Sequence, residues 1–339
     1  MRLKNSPVTS FLLALAQLTR LPNVLIIILT QLLLRYCFIA PYLYPGDIRA
    51  AAPLPDFLIL VLVTVLIAVG GYVINDYFDV KIDFINKPDK QIVGNGISRH
   101  KAMLLHQILT GLGVGCGLLL AFFARSFTLA FIFIVIPGLL WFYSASYKRQ
   151  FLIGNLVIAF ISAITILIVG ITQLAFLQKE YGNLVFETPI PTHFYAWIGG
   201  FAIFSFLLTL IREIIKDVED EKGDREMECR TLPIKWGVKK TKLFLYSLTG
   251  FTVVLLFLAN FYFIHFNGTL TLRYIIFGIV LPFIALCFLI YKASAKSDFH
   301  QASNLSKVIM FIGVLYSFVF YYLQAKTFGI SLFNIFVLK

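Results

Sequence analysis

Asn75-Asp76-Tyr77-Phe78-Asp79-Val80-Lys81-Ile82-Asp83 sets three carboxylates directly after a run that carries no charge. The spacing returns much later in the chain, where Asp217, Asp220 and Asp224 again stand at i, i+3 and i+7 and again follow a long apolar segment. On a helix these positions share one face, so each motif is expected to project three carboxylates into a common space. Two such faces brought together would repel each other unless divalent cations lay between them. Hard cations take oxygen ligands, and Mg2+ commonly joins a few carboxylates to a phosphorylated substrate. The pattern therefore predicts a Mg2+ site and an enzyme acting on a phosphate or diphosphate. Its candidate metal ligands are Asp76, Asp79, Asp83, Asp217, Asp220 and Asp224, with Asn75 as a neutral oxygen donor. A lone Asp-rich helix end is ordinarily just solvated; two copies with one spacing are not explained that way.

The elements that hold these motifs must live in lipid. The chain of 339 residues is 59% hydrophobic and 14% charged, and its mean hydropathy is +0.87. That composition belongs to an integral membrane protein. The formal charge of +12 does not point to nucleic acid, because the basic residues flank apolar spans, where they set topology and meet anionic headgroups. Cys37, Cys116, Cys229 and Cys287 are scattered without CxxC or Cys/His spacing, so neither a zinc site nor a disulfide framework is expected. His100, His193, His265 and His300 share no metal spacing either, and His106 reads as a helix-packing or interfacial residue.

Residues 1–20 carry Arg2 and Lys4 before a short apolar stretch and read as an interfacial helix rather than a signal peptide. Apolar runs of spanning length then fall near 23–39, 57–74, 102–123, 128–147, 151–176, 194–215, 243–266, 274–291 and 308–323, which makes nine transmembrane helices. The tail from residue 325 is too short to cross again. With nine spans, 22 of the 29 lysines and arginines fall on the side that holds the N-terminus and both aspartate motifs. The positive-inside rule puts that side, with residues 75–101 and 212–242, in the cytoplasm. The motifs stand 141 residues and four spans apart, a layout that suggests an internal duplication. Gly111-Leu112-Gly113-Val114-Gly115-Cys116-Gly117 looks like a nucleotide loop, but it lies inside an apolar run with no strand before it, and close helix packing is the expectation.

Together these residues carry a family resemblance. Asn75-Asp76-x-x-Asp79-x-x-x-Asp83 with Asp217-x-x-Asp220-x-x-x-Asp224 resembles the UbiA superfamily of intramembrane prenyltransferases over most of the chain. Arg20-Leu21-Pro22-Asn23 is similar to that family's entry to its first helix, Tyr143 through Arg149 to its tyrosine–lysine segment, and Gly154-Asn155 to the turn into its fifth helix. Arg212-Glu213-Ile214-Ile215-Lys216-Asp217 followed by Gly223-Asp224 and Arg230-Thr231-Leu232-Pro233 is most similar to the digeranylgeranylglyceryl phosphate synthase branch. The resemblance implies an all-α fold, a single domain over 1–339 with nine transmembrane helices around a central cavity. It also implies transfer of a prenyl group, such as geranylgeranyl, from a polyprenyl diphosphate to a lipophilic acceptor, a glycerol-phosphate lipid or alternatively a quinone precursor such as 1,4-dihydroxy-2-naphthoate.

The chemistry sorts the remaining residues. An allylic C–O bond breaks only if the departing diphosphate is stabilised as charge gathers on it, which metal-bound Asp76, Asp79, Asp217 and Asp220 would do in a dry site. Arg20, Lys148, Arg212 and Lys216, on the same membrane side, are candidates for direct phosphate contacts. Asn23 joins them as a substrate-binding candidate, and Tyr143 or Tyr147 supplies a ring whose face can shelter the developing carbocation. Partners are then the two substrates and membrane lipid, with no protein partner indicated, in a cell inner membrane. An ion-coupled transporter is the reading from another class, but such sites lie near the bilayer midplane, whereas both motifs here end spans and run into polar loops.

Overall fold

A computed structural model of the chain describes residues 16–43, 52–86, 91–264, 266, 268–329, 331–332 and 336–337. Residues 1–15 of the expected interfacial segment, and Lys87 and Lys90 of the first motif's loop, lie outside them. Among the described residues nine helices are long and apolar enough to cross a membrane. These are α1 (Leu21–Leu43), α2 (Leu54–Phe78), α4 (Arg99–Phe123), α5 (Phe127–Ala145), α6 (Ile153–Tyr181), α7 (Ile190–Glu219), α9 (Leu232–Tyr262), α10 (Leu270–Lys292) and α11 (Lys296–Phe328). Two short helices, α3 (Val80–Asn86) and α8 (Glu221–Glu226), follow the ends of α2 and α7. Each span expected from the sequence is found. Phe122, Phe127, Phe261 and Phe277 stand well exposed on these helices, as side chains do where lipid rather than water is the solvent. The protein is an integral membrane protein.

The fold is all-α, as expected, and the extended pairings among the described residues are minimal. Past α11, Ser331–Leu332 pairs antiparallel with Phe336–Val337, and Val93 and Ile97 form an isolated bridge. Both are short: the bridge lies between α3 and α4, and the two-residue pair follows α11.

The chain divides into two compact units. The first takes residues 1–28, 54–154 and 222–230; the second takes 29–53, 155–221 and 231–339. The cut at Gly154 falls between the two aspartate motifs, but residues 222–230, which carry Asp224, belong with the first.

In the first unit α4 lies along α2 and α5. Ser98 and Ser126 cap α4 and α5, their hydroxyls accepting from the N–H groups of Lys101 and Leu129. Two glycines of the 111–117 run face neighbours: a Cβ on Gly113 would come within 2.9 Å of Ile67 and one on Gly117 within 2.7 Å of Phe133, while Gly111 and Gly115 face open space. One small residue every four on a single face brings helices together without a hydrophobic driving force. His106 adds a polar clasp, its Nδ1 lying 2.9 Å from the Gly70 carbonyl and 3.3 Å from the Thr110 hydroxyl. It packs helices, as expected.

In the second unit Phe38 is fully buried and meets Tyr42, Phe194, Trp197 and Phe320, with ring centroids 4.8–6.4 Å away. Such tilted and offset contacts suit the aromatic quadrupole. A hydroxyl chain joins α6 to α7: Thr209 donates to Ser162 at 3.0 Å, and Ser162 and Ser205 lie 2.7 Å apart. Near its start α9 is broken at Gly237, whose φ of 77° and ψ of 158° lie where a Cβ is not tolerated.

Candidate active site

The first motif ends α2. Asp79 itself interrupts the helix, yet the backbone ladder runs on through it: Asp79 N–H donates to the Asn75 carbonyl at 3.0 Å and Asp83 N–H to the Asp79 carbonyl at 2.8 Å. The helical spacing read from the sequence therefore survives across the motif. The Asn75 amide donates to Asp79 Oδ2 at 2.8 Å, which turns its own Oδ1 toward Lys148 Nζ, 3.4 Å away. Lys148 also forms an ion pair with Asp79 Oδ1, both side chains being nearly buried. Arg20 pairs with Asp76 through Nη2 and Oδ1 at 2.7 Å and lies over the Tyr72 ring at 5.0 Å. Burial disfavours the Arg20 charge, but Asp76, with Tyr72 and Asp79, outweighs it and holds the guanidinium proton more tightly than usual.

Arg20 has a φ of 49°, a left-handed conformation for a residue with a Cβ. Such strain is of order 1–3 kcal/mol and persists where the surroundings fix it. The Asp76 pair and the N–H groups of Asn23 and Val24, which donate to the Arg20 carbonyl at 2.8 and 3.3 Å, do so here. Asn23 is half-buried in the first turn of α1.

Lys148 is delivered by the one-turn helix Tyr147–Arg149 after α5. The close approach of Gly154 makes room for it, since a Cβ there would stand 2.6 Å from Lys148 Cα and 2.9 Å from the Tyr147 carbonyl oxygen. Tyr147 stacks on Phe142 with centroids 6.0 Å apart, and Tyr143 is half-buried near the end of α5.

Residues 222–230 clip onto the first motif within the first unit. Gly223 N–H donates to Asn86 Oδ1 at 3.1 Å, and Arg230 N–H donates to the Arg149 carbonyl at 2.7 Å. Burial pushes the Cys229 thiol up to about 11, helped by Asp224 and, more weakly, Asp79, against Arg149 and Lys148. One buried thiol thus feels Asp224 and Asp79 together, so the last aspartate of the second motif shares a neighbourhood with the first motif. Sequence reading passed over Arg149, whose Nε is buried without a hydrogen-bond partner among the described residues. Its place directly after Lys148 was the available signal.

The second triplet does not lie on one uninterrupted helix. Asp220 caps α7, its N–H donating to the Lys216 carbonyl at 2.9 Å, and α8 begins after it. Within the second unit Asp217 accepts from the Asn155 amide at 2.8 Å, and Lys296 Nζ lies 3.6 Å from Asp220 Oδ1. Arg212 pairs with Glu213, and Lys216 sits one turn further along α7.

Every donor of the two motifs is a hard carboxylate or amide oxygen, which suits Mg2+ in kind. In this arrangement Lys148 and Arg20 stand against carboxylates of the first motif, and among the described residues no three His, Cys, Asp or Glu side chains gather where they could hold one ion. The chemistry such an arrangement can do is to hold an anionic leaving group by fixed cations beside carboxylates able to take a divalent metal.

Comparison with known proteins shows the family. The model of the UbiA prenyltransferase family matches residues 37–315. The digeranylgeranylglyceryl phosphate synthase of Sulfurisphaera tokodaii is 33% identical over 235 residues, 68% of this chain and 76% of that protein. A solved chain described under structural and mechanistic insights into the biosynthesis of digeranylgeranylglyceryl phosphate synthase in membranes is 26% identical. It superposes with a TM-score of 0.61, covering 92% of this chain and 98% of that one. A UbiA homologue from Archaeoglobus fulgidus, bound to GPP and Mg2+, shares the fold at 16% identity and a TM-score of 0.51, with 90% and 99% covered. With nine spanning-length helices among the described residues, paired aspartate motifs and a family match over most of its length, the chain belongs to the UbiA prenyltransferase family.

Proposed function

We propose that this prenyltransferase moves a geranylgeranyl group from its diphosphate to a glycerol-phosphate lipid, using Mg2+, at the cytoplasmic face of the cell inner membrane. The observation that carries the reading is the end of α2, where Asn75, Asp76 and Asp79 meet Lys148 and Arg20. The likeness to digeranylgeranylglyceryl phosphate synthases supports the acceptor, and the excess of lysine and arginine on the motif side supports the orientation.

Asp76, Asp79, Asp83 and Asp224 with Asn75, and Asp217 and Asp220, are the ligands we assign to the cations. When bound, Mg2+ supplies Lewis-acid stabilisation of the diphosphate. Lys148 and Arg20 leave their carboxylates for diphosphate oxygens, exchanging one charge-assisted partner for another. The prenyl C1–O bond breaks with its electron pair going to diphosphate, the acceptor hydroxyl oxygen bonds to C1, and the hydroxyl proton goes to the released diphosphate. Tyr143 or Tyr147 offers a ring face to the cationic carbon. A transporter has no support left, because the family is one of transferases.

Mass spectrometry of products tests the reading. Purified protein is given Mg2+, prenyl diphosphates of several lengths, and a panel including geranylgeranylglyceryl phosphate and 1,4-dihydroxy-2-naphthoate. Digeranylgeranylglyceryl phosphate is expected, with Asp76→Ala and Asp217→Ala at least about 100-fold slower. A prenylated naphthoate as the sole product, or undiminished turnover by both variants, would overturn it.

A further inference from the structure

Within the second unit α9 has two unlike faces. Thr241, Leu245, Thr249 and Thr252 are buried at steps of four, four and three, so the helix packs against its neighbours through mostly small polar residues. The opposite stripe runs through Leu243, Ser247, Phe251, Val254, Leu258 and Phe261 at steps of three or four, and it is exposed throughout. Of the nine spans among the described residues, α9 is the least buried.

The stripe ends in charge. Lys239 and Lys240 stand one turn before Leu243, and Lys235 lies beyond the break at Gly237. All three are exposed, and among the described residues none has an ion pair or a side-chain hydrogen bond. Lys242 differs from them, because its Nζ donates to the carbonyls of Ala293 at 2.7 Å and Tyr291 at 3.3 Å, at the end of α10. The break at Gly237 lets Trp236 fold back along the helix, where its ring meets Phe244 edge-on at 5.8 Å while 43% of the residue stays exposed. Phe244 lies one turn after Lys240, so the indole sits beside that lysine.

The first turns of a helix carry the positive end of its dipole, and the first turn of α9 holds no acidic residue. Three unpaired ammonium groups there build a positive potential that an anion relieves. Tryptophan favours the level at which headgroups meet hydrocarbon. A lipid with an anionic headgroup answers both demands, its phosphate at the lysines and its chains down the apolar stripe.

We propose that the start of α9 is a binding site for an anionic phospholipid of the surrounding bilayer, held by Lys235, Lys239 and Lys240 beside Trp236. Charge complementarity selects this occupant. A zwitterionic lipid brings a cation of its own, and a second copy of the chain meeting this face about a twofold axis sets like charges together. The site is separate from the aspartate motifs and does not depend on which acceptor the enzyme prenylates.

The test uses the full chain in nanodiscs of phosphatidylcholine and phosphatidylglycerol, with Trp141→Phe and Trp197→Phe leaving Trp236 as the remaining tryptophan. Chain-brominated lipid quenches tryptophan on contact, so brominating one lipid or the other reads which headgroup stands beside Trp236. Brominated phosphatidylglycerol is expected to quench about threefold more than its share of the bilayer predicts, falling to parity at high salt. Replacing all three lysines by glutamine should also bring parity, and replacing them by arginine should keep the preference. Lys240→Gln alone should lower it, whereas Lys101→Gln, which removes an exposed lysine on α4, should not. Parity in the protein with its lysines intact, or a preference that the triple glutamine variant retains, would overturn the inference. So would quenching by neither lipid, the result expected if a second copy covered the stripe. Native mass spectrometry of the chain with all its tryptophans gives a second reading from an equimolar lipid mixture. Wild type should retain phosphatidylglycerol over phosphatidylcholine and the triple glutamine variant should not; equal retention of phosphatidylglycerol by the two proteins would overturn the site.

Discussion

Lys148 Nζ forms an ion pair with Asp79 Oδ1 while lying 3.4 Å from Asn75 Oδ1, so a fixed cation already bridges two oxygens of the first motif. Asp79 is only 9% exposed, and a carboxylate at that depth needs a counter-charge. Lys148→Met keeps the aliphatic stem and removes the charge. Breaking a buried pair by deleting one partner costs on the order of 3–5 kcal/mol, so the variant is expected to melt earlier as well as to lose about 100-fold or more in turnover. Mg2+ should stabilise the variant more than the wild type, because the ion meets no resident ammonium there. Thermal unfolding with and without Mg2+ checks this; equal Mg2+ shifts in the two proteins would count against a bridging role for Lys148.

Gly154 controls where that ammonium group stands. Alanine would place its Cβ 2.6 Å from Lys148 Cα, a backbone atom that cannot turn aside. Gly154→Ala is expected to shift Tyr147 and Lys148, costing about 1–3 kcal/mol of stability and about 10–100-fold in turnover through misplacement alone. Gly111→Ala is the matched control, since nothing lies within 4 Å of a Cβ there. It should stabilise its helix by up to about 1 kcal/mol and leave turnover unchanged. Melting temperature and turnover measured on the pair separate the two effects.

Much of this arrangement is legible before any coordinates. Hydropathy and length place every span, because a helix in lipid must satisfy its backbone internally and therefore needs an unbroken apolar run. The glycine run 111–117 is read rightly as packing, though only the coordinates show that Gly113 and Gly117 face neighbours while Gly111 and Gly115 do not. The aspartate spacing yields the carboxylates but not their partners. That Arg20 takes Asp76, Lys148 takes Asp79 and Asn155 takes Asp217 depends on which helix ends meet, and those pairs stand 56, 69 and 62 residues apart in sequence. The break of the second motif at Asp220 was hidden as well, because i, i+3, i+7 fits an unbroken helix equally well.

Asn86 and Gly223 form the clasp that attaches the second motif's last segment to the first motif. Gly223 N–H donates to Asn86 Oδ1 at 3.1 Å, and a Cβ at position 223 would fall 2.4 Å from the Asn86 amide nitrogen. Gly223→Ala should therefore lose most activity by pushing the amide away. Asn86→Ala removes both the obstacle and the bond, with a smaller loss of about 0.5–1.5 kcal/mol. Because the alanine clash needs the asparagine, the double variant should be better than the two losses combined, with a coupling of about 0.5–3 kcal/mol. Strict additivity across the four proteins would show that the clasp is not what fails.

Cys229 reports on the charges around it. Its thiol is pushed up to about 11, first by burial and then by Asp224, while Arg149 and Lys148 pull it down. The thiolate is the form that reacts. Relative to an ordinary thiol, two pH units should slow maleimide labelling at pH 7.5 about 100-fold, with the rate climbing about tenfold per unit until it levels near 11. The measurement uses a chain in which Cys229 is the remaining cysteine, after Cys37→Ala, Cys116→Ala and Cys287→Ala. Asp224→Asn removes a charge that raises the thiol and should move the profile to lower pH; Lys148→Met removes one that lowers it and should move it to higher pH. Opposite displacements by the two variants are expected only if an aspartate of the second motif and the lysine that pairs with the first act on the same buried sulfur. A profile that neither variant moves would place Cys229, and with it Asp224, away from the end of α2.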